Sequence, residues 1–234
     1  MRHRSSSESQ PADHDDCMLI VDTEGLAWKN ILTAVPLCEQ VFIAGSAATW
    51  LTERSTFGTD PEWTPDDIDV FICQRDNLFV TIVNALLLRH IDITGARVKR
   101  GNGKIDVHMT NRPHLSFIRC DVNDHARAVV SLFDIDICKP IVMKHNGEIV
   151  LLMTGEVHAG IRDRNMKCTI AKKTSLTMSY PLARTLHRLS KYQSRGYNLV
   201  SMTFMSVSHL DFPDRDSWLD ADDFRPLCDA YPQL

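Results

Sequence analysis

Two segments of the sequence place aspartates two residues apart among residues that favour β-strands. Asp67 and Asp69 begin the apolar run DIDVFIC, and Asp134 and Asp136 lie within a predicted strand over 133–143. Residues two apart on a strand point to the same side of a sheet, so each pair predicts two carboxylates on one face. Two carboxylates held close together repel each other unless a cation neutralises them. We expect the two strands to lie side by side in one sheet, and the pairs together then predict a site for a hard divalent metal.

A glycine-serine turn precedes the first pair and has the arrangement of a phosphate-binding turn. Gly45 and Ser46 follow a predicted strand over 41–44 and precede a predicted helix over 47–53. Gly45 lets the backbone approach a phosphate closely, Ser46 adds a hydroxyl donor, and the helix start presents free N–H groups. Such turns more often serve only packing or capping. The order of turn and aspartates is what favours a phosphate site.

The remaining segments predict a mixed order of helices and strands, typical of an α+β fold. We expect a disordered tail over 1–16, a catalytic core over 17–152, and a mixed C-terminal region over 153–234 with a basic helix and an acidic tail. The other predicted elements are helices over 24–40, 77–89, 126–132 and 180–196, a loop over 54–65, and strands over 94–100, 104–109, 114–120 and 148–152.

Basic residues recur along the predicted helix over 180–196. Their steps of four, three and four residues form one stripe, which predicts contact with a nucleotide triphosphate or a nucleic-acid backbone. A solvated helix face with cations near its C-terminus is an equally good interpretation. The members are Arg184, Arg188, Lys191 and Arg195. A second basic run, over 97–104, brackets a Gly-Asn-Gly turn and is more typical of an exposed hairpin tip than of a polymer site.

Composition narrows the class of protein. The hydrophobic fraction of 44% and charged fraction of 24% are ordinary for a soluble globular chain, and a net charge of −4 argues against a wholly electrostatic nucleic-acid binder. The seven cysteines include no CxxC pair, which indicates reduced thiols and not a zinc site. No apolar run approaches the roughly 20 residues of a membrane span. We expect a cytoplasmic protein without membrane contact.

These motifs, in this order, resemble the active-site pattern of the DNA-polymerase-β-like nucleotidyltransferase superfamily. The matching positions are Gly45 with Ser46, Asp67 with Asp69, and Asp134. The chain also resembles small viral or phage nucleotidyltransferase-like proteins in its Phe-Asp-Ile run at 133–135 and its RLSKYQSRG helix at 188–196. The resemblance covers roughly residues 41–197. The gap between Ser46 and Asp67 is longer than usual in the superfamily, which implies an insertion at 54–65.

The resemblance implies a nucleotidyltransferase-type mixed β-sheet flanked by helices, with a C-terminal helical part. It implies transfer of a nucleoside monophosphate from an NTP to an acceptor hydroxyl, with Mg²⁺ or Mn²⁺ bound by Asp67, Asp69 and either Asp134 or Asp136. Asp134, the preferred third ligand, would help to activate the acceptor. RNA, protein and small-molecule acceptors all stay open. The alternatives are an inactive nucleotide- or nucleic-acid-binding module and a structural protein with solvated aspartates. The implied triphosphate contacts are Gly45, Ser46, Arg184, Arg188 and Lys191.

Overall fold

The computed structural model of the protein describes residues 16–74, 76–89, 91, 96–101, 103–109, 113–120, 124–172 and 179–206. Its helices are α1 (Lys29–Ala34), α2 (Ser46–Phe57), α3 (Asp76–Arg89), α4 (Ala126–Ser131), α5 (Gly155–Arg162) and α6 (Ser179–Ser194). Its strands are β1 (Asp16–Ile20), β2 (Val41–Ala44), β3 (Asp67–Cys73), β4 (Arg97–Gly101), β5 (Lys104–His108), β6 (His114–Cys120), β7 (Ile141–His145), β8 (Glu148–Thr154), β9 (Asn165–Lys172) and β10 (Asn198–Ser206).

Eight of the strands form one mixed sheet in the order β1-β8-β7-β2-β3-β6-β5-β4. Only β3 and β6 pair in parallel within it, and the other neighbours are antiparallel. The C-terminal part contains α6 and a two-stranded parallel sheet of β9 and β10. The predicted α+β class, a mixed sheet flanked by helices, is therefore confirmed.

Strand β3 fixes which side of the sheet its aspartates occupy. Ile68, Val70 and Ile72 are fully buried in the main core, which also contains residues of α1, α2 and α3. Phe71 points to the opposite side, where α4 covers an apolar cluster that includes Val129. Each fully buried isoleucine stabilises the fold by about 1.5–3 kcal/mol, and a one-residue slip would put carboxylates into the core. The β3 register is thus strongly specified.

Two predicted boundaries differ from the structure. The predicted helix over 24–40 is reduced to α1, because the residue before a proline avoids the helical region and Val35, which precedes Pro36, is extended with ψ 129°. Helix α2 continues into the predicted loop over 54–65 and ends at Phe57. Gly58, in the left-handed conformation with φ 70°, stops it there.

The predicted strand over 133–143 is wrong. Ile135 forms only an isolated bridge with Cys168, a 3₁₀ turn follows over Asp136–Cys138, and β7 begins at Ile141. Local side-chain bonds to the backbone compete with a strand ladder, and Asp136 Oδ1 accepts a hydrogen bond from the backbone N–H of the next residue. Asp134 and Asp136 consequently do not share a strand face.

The two ends of the chain lie largely outside the described residues. Of the predicted disordered tail over 1–16, only Asp16, the first residue of β1, is among the described residues, and the acidic tail after residue 206 is not. The predicted boundary between 152 and 153 stays a prediction. Among the described helices, none has the length and apolar character needed to cross a bilayer.

Candidate active site

The glycine-serine turn lies beside the first aspartate pair because β2 and β3 are antiparallel neighbours. Ala44 of β2 is the register partner of Asp69, so Gly45 follows at the same level of the sheet. A Cβ built on Gly45 would lie 3.4 Å from Asp69 Oδ2, and φ of 77° further disfavours any larger residue. The Ser46 hydroxyl donates a 3.4 Å hydrogen bond to Asp67 Oδ1. The start of α2 therefore lies against both carboxylates.

A third carboxylate, that of Asp106, lies in line with Asp69. The register pairs Asp69 of β3 with Ser116 of β6, and Ser116 with Asp106 of β5. Register partners on neighbouring strands project to the same side of a sheet. The Ser116 hydroxyl donates a 2.5 Å hydrogen bond to Asp106 Oδ1. Sequence reasoning missed Asp106, although its position between Ile105 and Val107 is a recognisable alternating strand pattern.

The three carboxylates are electrostatically linked. Burial and then the charges of Asp67 and Asp106 raise the pKa of Asp69 to about 7, against the opposing charges of Lys104 and Lys191. Burial also acts to raise the pKa of Asp106, but hydrogen bonds from Ser116 and from Lys104, whose Nζ is 3.0 Å away, outweigh it and lower that pKa. The raised pKa means that Asp69 loses its proton less readily than an ordinary carboxyl, because other negative charges lie near it. A bound cation would relieve this repulsion.

The end of α6 contacts the loop that leads into β3. Lys191 Nζ is 2.6 Å from Asp66 Oδ2, and Arg195 is 3.6 Å from the same carboxylate. The Arg195 guanidinium lies 3.9 Å from the ring centroid of Trp63, a cation–π contact. A hydrogen bond from Lys191 lowers the pKa of Asp66. This part of the basic stripe is consequently packed against the site and is not a freely solvated face.

The second aspartate pair is already engaged by other groups. Asp134 Oδ2 accepts hydrogen bonds from Thr185 and Arg188 of α6. Asp136 Oδ1 accepts backbone bonds of 2.8 Å from Ile137 and 2.7 Å from Lys167. Burial raises the pKa of Asp136, and these two backbone donors partly offset it.

The second acidic segment supports the glycine-serine turn from behind. The Gly45 N–H donates to the Cys138 carbonyl at 3.0 Å, and the Thr49 hydroxyl donates to the Ile137 carbonyl at 2.7 Å. Strand β2 separates β3 from β7, so the predicted side-by-side placement of two acidic strands is wrong. The assignment of Asp134 or Asp136 as a metal ligand stays a prediction. The side chain of Arg184 is outside the described residues.

The described side chains do not form a complete metal-binding site. Across the described ranges, no three or more His, Cys, Asp or Glu side chains are grouped so that they could hold a metal ion. The carboxylates that fit a divalent ion best are Asp67, Asp69 and Asp106, because they share one face of the sheet and their charges repel one another. Hard divalent cations prefer such oxygen ligands, with water and substrate oxygens completing the shell.

The chain is similar to solved structures of a tRNA-processing enzyme and of CCA-adding enzymes. One is described as a tRNA-processing enzyme with CTP; its identity is 13%, the match covers 68% of this chain and 39% of that one, and the TM-score is 0.45. The Thermotoga maritima CCA-adding enzyme in complex with tRNA matches with 10% identity over 68% and 34% of the two chains, at a TM-score of 0.44. A CCA-adding enzyme with CTP matches with 9% identity over 68% and 35%, at 0.45.

The chain spans less than half the length of each of these enzymes. No protein-family model matches the sequence, and no curated protein matches it either. Nothing in these comparisons supports the resemblance to viral or phage proteins.

Proposed function

We propose that the chain is a metal-dependent nucleotidyltransferase that moves a nucleoside monophosphate from an NTP to an acceptor hydroxyl. The observation that carries the proposal is the alignment of three carboxylates along one face of the sheet, two of them directly beside a glycine-serine turn at a helix start. Asp67 and Asp69 are neighbours of the turn, and Asp106 is in register with Asp69. Carboxylates for a cation and backbone N–H groups for phosphates are the two requirements of nucleotide chemistry.

Each part of the turn has a separate task in binding the triphosphate. Gly45 has no side chain between the backbone and Asp69, so a phosphate can approach the N–H groups at the start of α2. Ser46 adds a hydroxyl donor next to Asp67. Lys191, which acts electrostatically on Asp69, supplies a positive charge for the same phosphates. These contacts orient the α-phosphorus towards the carboxylates.

Asp67, Asp69 and Asp106 would hold Mg²⁺ or Mn²⁺, which would supply charge stabilisation to the triphosphate and a lowered pKa to the attacking hydroxyl. Asp106, kept ionised by Ser116 and Lys104, accepts a hydrogen bond from the acceptor hydroxyl and orients it. The acceptor oxygen bonds to the α-phosphorus, the bond from that phosphorus to its bridging oxygen breaks, and pyrophosphate leaves. The hydroxyl proton passes to a carboxylate of the cluster.

The second candidate is a catalytically inactive module with the same fold that binds nucleotide or nucleic acid. One observation favours it: across the described ranges no group of three metal-ligating side chains is assembled. Such a module would bind nucleotide through the turn of Gly45 and Ser46 without turnover.

The test is transfer of label from each α-labelled NTP, with Mg²⁺ or Mn²⁺, to total RNA, to tRNA, to added protein and to the chain itself. We expect cation-dependent transfer by the unaltered protein and none by Asp69→Ala. Asp163→Ala, which removes an exposed carboxylate paired with Arg162, is the matched control and should retain transfer. Circular dichroism checks that each variant is folded.

Two results would contradict the proposal. Transfer retained by folded Asp69→Ala would show that the carboxylate cluster is not the catalytic site. Cation-independent nucleotide binding measured by calorimetry, with no transfer to any acceptor, would identify the inactive module instead.

A further inference from the structure

The rows of side chains that contain the aspartates continue across the sheet to its edge strand. Each row takes one residue from β3, β6, β5 and β4, and all members of both rows face the same side. The His108 and His114 rings meet at a centroid distance of 4.4 Å, which extends the β5–β6 alignment by one position. One row contains Asp67, His114, His108 and Arg97, and the next contains Asp69, Ser116, Asp106 and Lys99.

The chemical character of this face changes from acidic to basic. At its inner end are the carboxylates of Asp67 and Asp69, whereas Arg97 and Lys99 on the edge strand β4 are exposed. Within the described part of the chain, neither cation has an ion-pair partner. Strands lie about 4.8 Å apart, so the basic edge is roughly 14 Å, three strand spacings, from Asp67 and Asp69, although Asp106 on β5 is only one spacing from it. The face therefore offers separate places for phosphates and for a reacting hydroxyl.

Two imidazole rings lie between these ends. His108 and His114 are both exposed, and their planes meet at 64° in an edge-on contact. Exposed histidine rings are among the side chains on which unstacked bases are bound, and a basic surface with interleaved rings is typical of single-strand binding. An acidic peptide would match the cations but would have no use for the rings.

We propose that this face, with Arg97, Lys99, His108 and His114 as its contacts, binds a single-stranded nucleic acid whose terminal 3′-hydroxyl lies at the carboxylate cluster. Backbone phosphates lie against Arg97 and Lys99, and a base near the 3′ end stacks on the histidine pair. Because the chain carries a net charge of −4, the binding is local to this face and does not come from the charge of the whole protein. The inference rests on the proposed function for the role of the hydroxyl, while the binding itself does not.

The test measures the Kd of the unaltered full chain for fluorescent single-stranded RNA and DNA of about 12 nucleotides, within the site sizes known for such surfaces. The variant Arg97→Glu with Lys99→Glu is compared with Lys144→Glu with Arg162→Glu. Lys144 and Arg162 are exposed and lie on β7 and α5, away from the β4 edge. Both double variants replace two cations by two glutamates, so they change the net charge equally. The measurement is repeated across about 50 to 200 mM salt, the range over which phosphate contacts are strongly screened.

We expect the first double variant to bind at least about tenfold more weakly, with a salt slope lower by about 1.4, or about 0.7 for each lost phosphate contact. Its control should bind like the unaltered protein. Replacing both histidines by alanine should weaken binding about tenfold with an unchanged salt slope, because stacking is not ionic. A preference for RNA or for DNA identifies the source of the strand, and either is consistent with the proposal.

Equal losses in the two double variants, or no binding of either strand, would overturn the inference. Melting temperatures establish that the variants are folded, and Arg97→Gln with Lys99→Gln gives the same test with a milder change. The outcome is separable from that of the proposed function. No binding of either strand by the unaltered chain, with transfer intact on a protein acceptor, would refute only the inference, whereas face-dependent binding without any transfer would refute only the enzyme.

Discussion

The two Asp-Ile-Asp segments have the same spacing and the same central residue, yet the structure treats them in opposite ways. Asp67 and Asp69 belong to β3, which pairs with β6 on one side and with β2 on the other. Both carboxylates are therefore held on one face. Asp134 and Asp136 lie outside any strand, and α6 and two backbone N–H groups bind their oxygens. Spacing predicts a shared face only where the backbone is a strand.

The difference also concerns what surrounds the carboxylates. Around β3, burial and then the charges of the neighbouring carboxylates Asp67 and Asp106 raise the pKa of Asp69. Around the second segment, donors outnumber charges, and Asp134 is bound by Arg188 and Thr185. An acidic pair surrounded by other carboxylates is suited to binding a cation, and one that is saturated with donors is suited to joining parts of the fold.

The largest expected effect comes from removing one negative charge from each region in turn. We expect Asp106→Asn to lower nucleotidyl transfer by about 10²–10³-fold, as for the loss of one group that stabilises the transition state. Asp134→Asn keeps an acceptor for Thr185 and should lower transfer less than about fivefold. Steady-state assays with labelled NTP measure both. The reverse ranking would return Asp134 to the position of third carboxylate.

The second prediction concerns stability and pH in metal-free buffer. A carboxyl whose pKa is raised to about 7 in the folded chain binds its proton more tightly folded than unfolded, so stability falls as pH rises from about 4 to about 7. The loss for Asp69 is of the order of 4 kcal/mol, from about 1.4 kcal/mol for each pKa unit. Asp69→Asn should lack this fall and melt above the unaltered protein at pH 8.

The control for this prediction is Asp22→Asn, at an exposed carboxylate that accepts a hydrogen bond from the Glu24 N–H. It should retain the pH dependence of the unaltered protein. Adding Mg²⁺ at pH 8 should raise the melting temperature of the unaltered chain and leave Asp69→Asn nearly unchanged. Equal pH dependence of Asp69→Asn and the unaltered protein would contradict the electrostatic account of the cluster.

The third prediction concerns Asp136 as a structural group. Asp136→Ala leaves the N–H groups of Ile137 and Lys167 without their acceptor, which should cost about 2–3 kcal/mol of unfolding free energy. Asp136→Asn retains an oxygen for both donors and should cost less than about 1 kcal/mol. Urea unfolding measures the two values. If both variants were equally stable, the two hydrogen bonds would not be what holds this turn.

The smallest expected effect is the coupling between Asp134 and Arg188. The Arg188 side chain is 45% exposed, and an ion pair with one exposed partner contributes only about 0.5–1 kcal/mol. A double-mutant cycle of Asp134→Asn and Arg188→Gln, followed by thermal unfolding, measures this energy. A coupling near zero would mean that the contact does not contribute to joining α6 to the 3₁₀ turn.

Sequence patterns predicted those elements that depend on local chemistry. The apolar alternation in residues 67–73 predicted β3 and the shared face of its aspartates, and the glycine-serine turn was predicted between a strand and a helix. The strand over 133–143 failed because its aspartate finds backbone donors nearby and Pro140, which has no N–H, precedes β7. The sequence therefore predicted that Asp67 and Asp69 share a strand face, and it missed Asp106, which lies in line with Asp69.

The α+β class, the position of the first acidic strand and the turn in front of it can be predicted from local patterns, because periodicity and backbone preference act over a few residues. Which third carboxylate lies in line with that strand depends on the assembled sheet, because strand order brings Asp106 into register with Asp69 and puts β2 between β3 and β7. The tertiary structure also buries Glu53 completely, with the Tyr197 hydroxyl at 2.7 Å and Arg164 at 2.8 Å. Partners so far apart in the chain meet only when the whole core is assembled, since no local pattern encodes their distance.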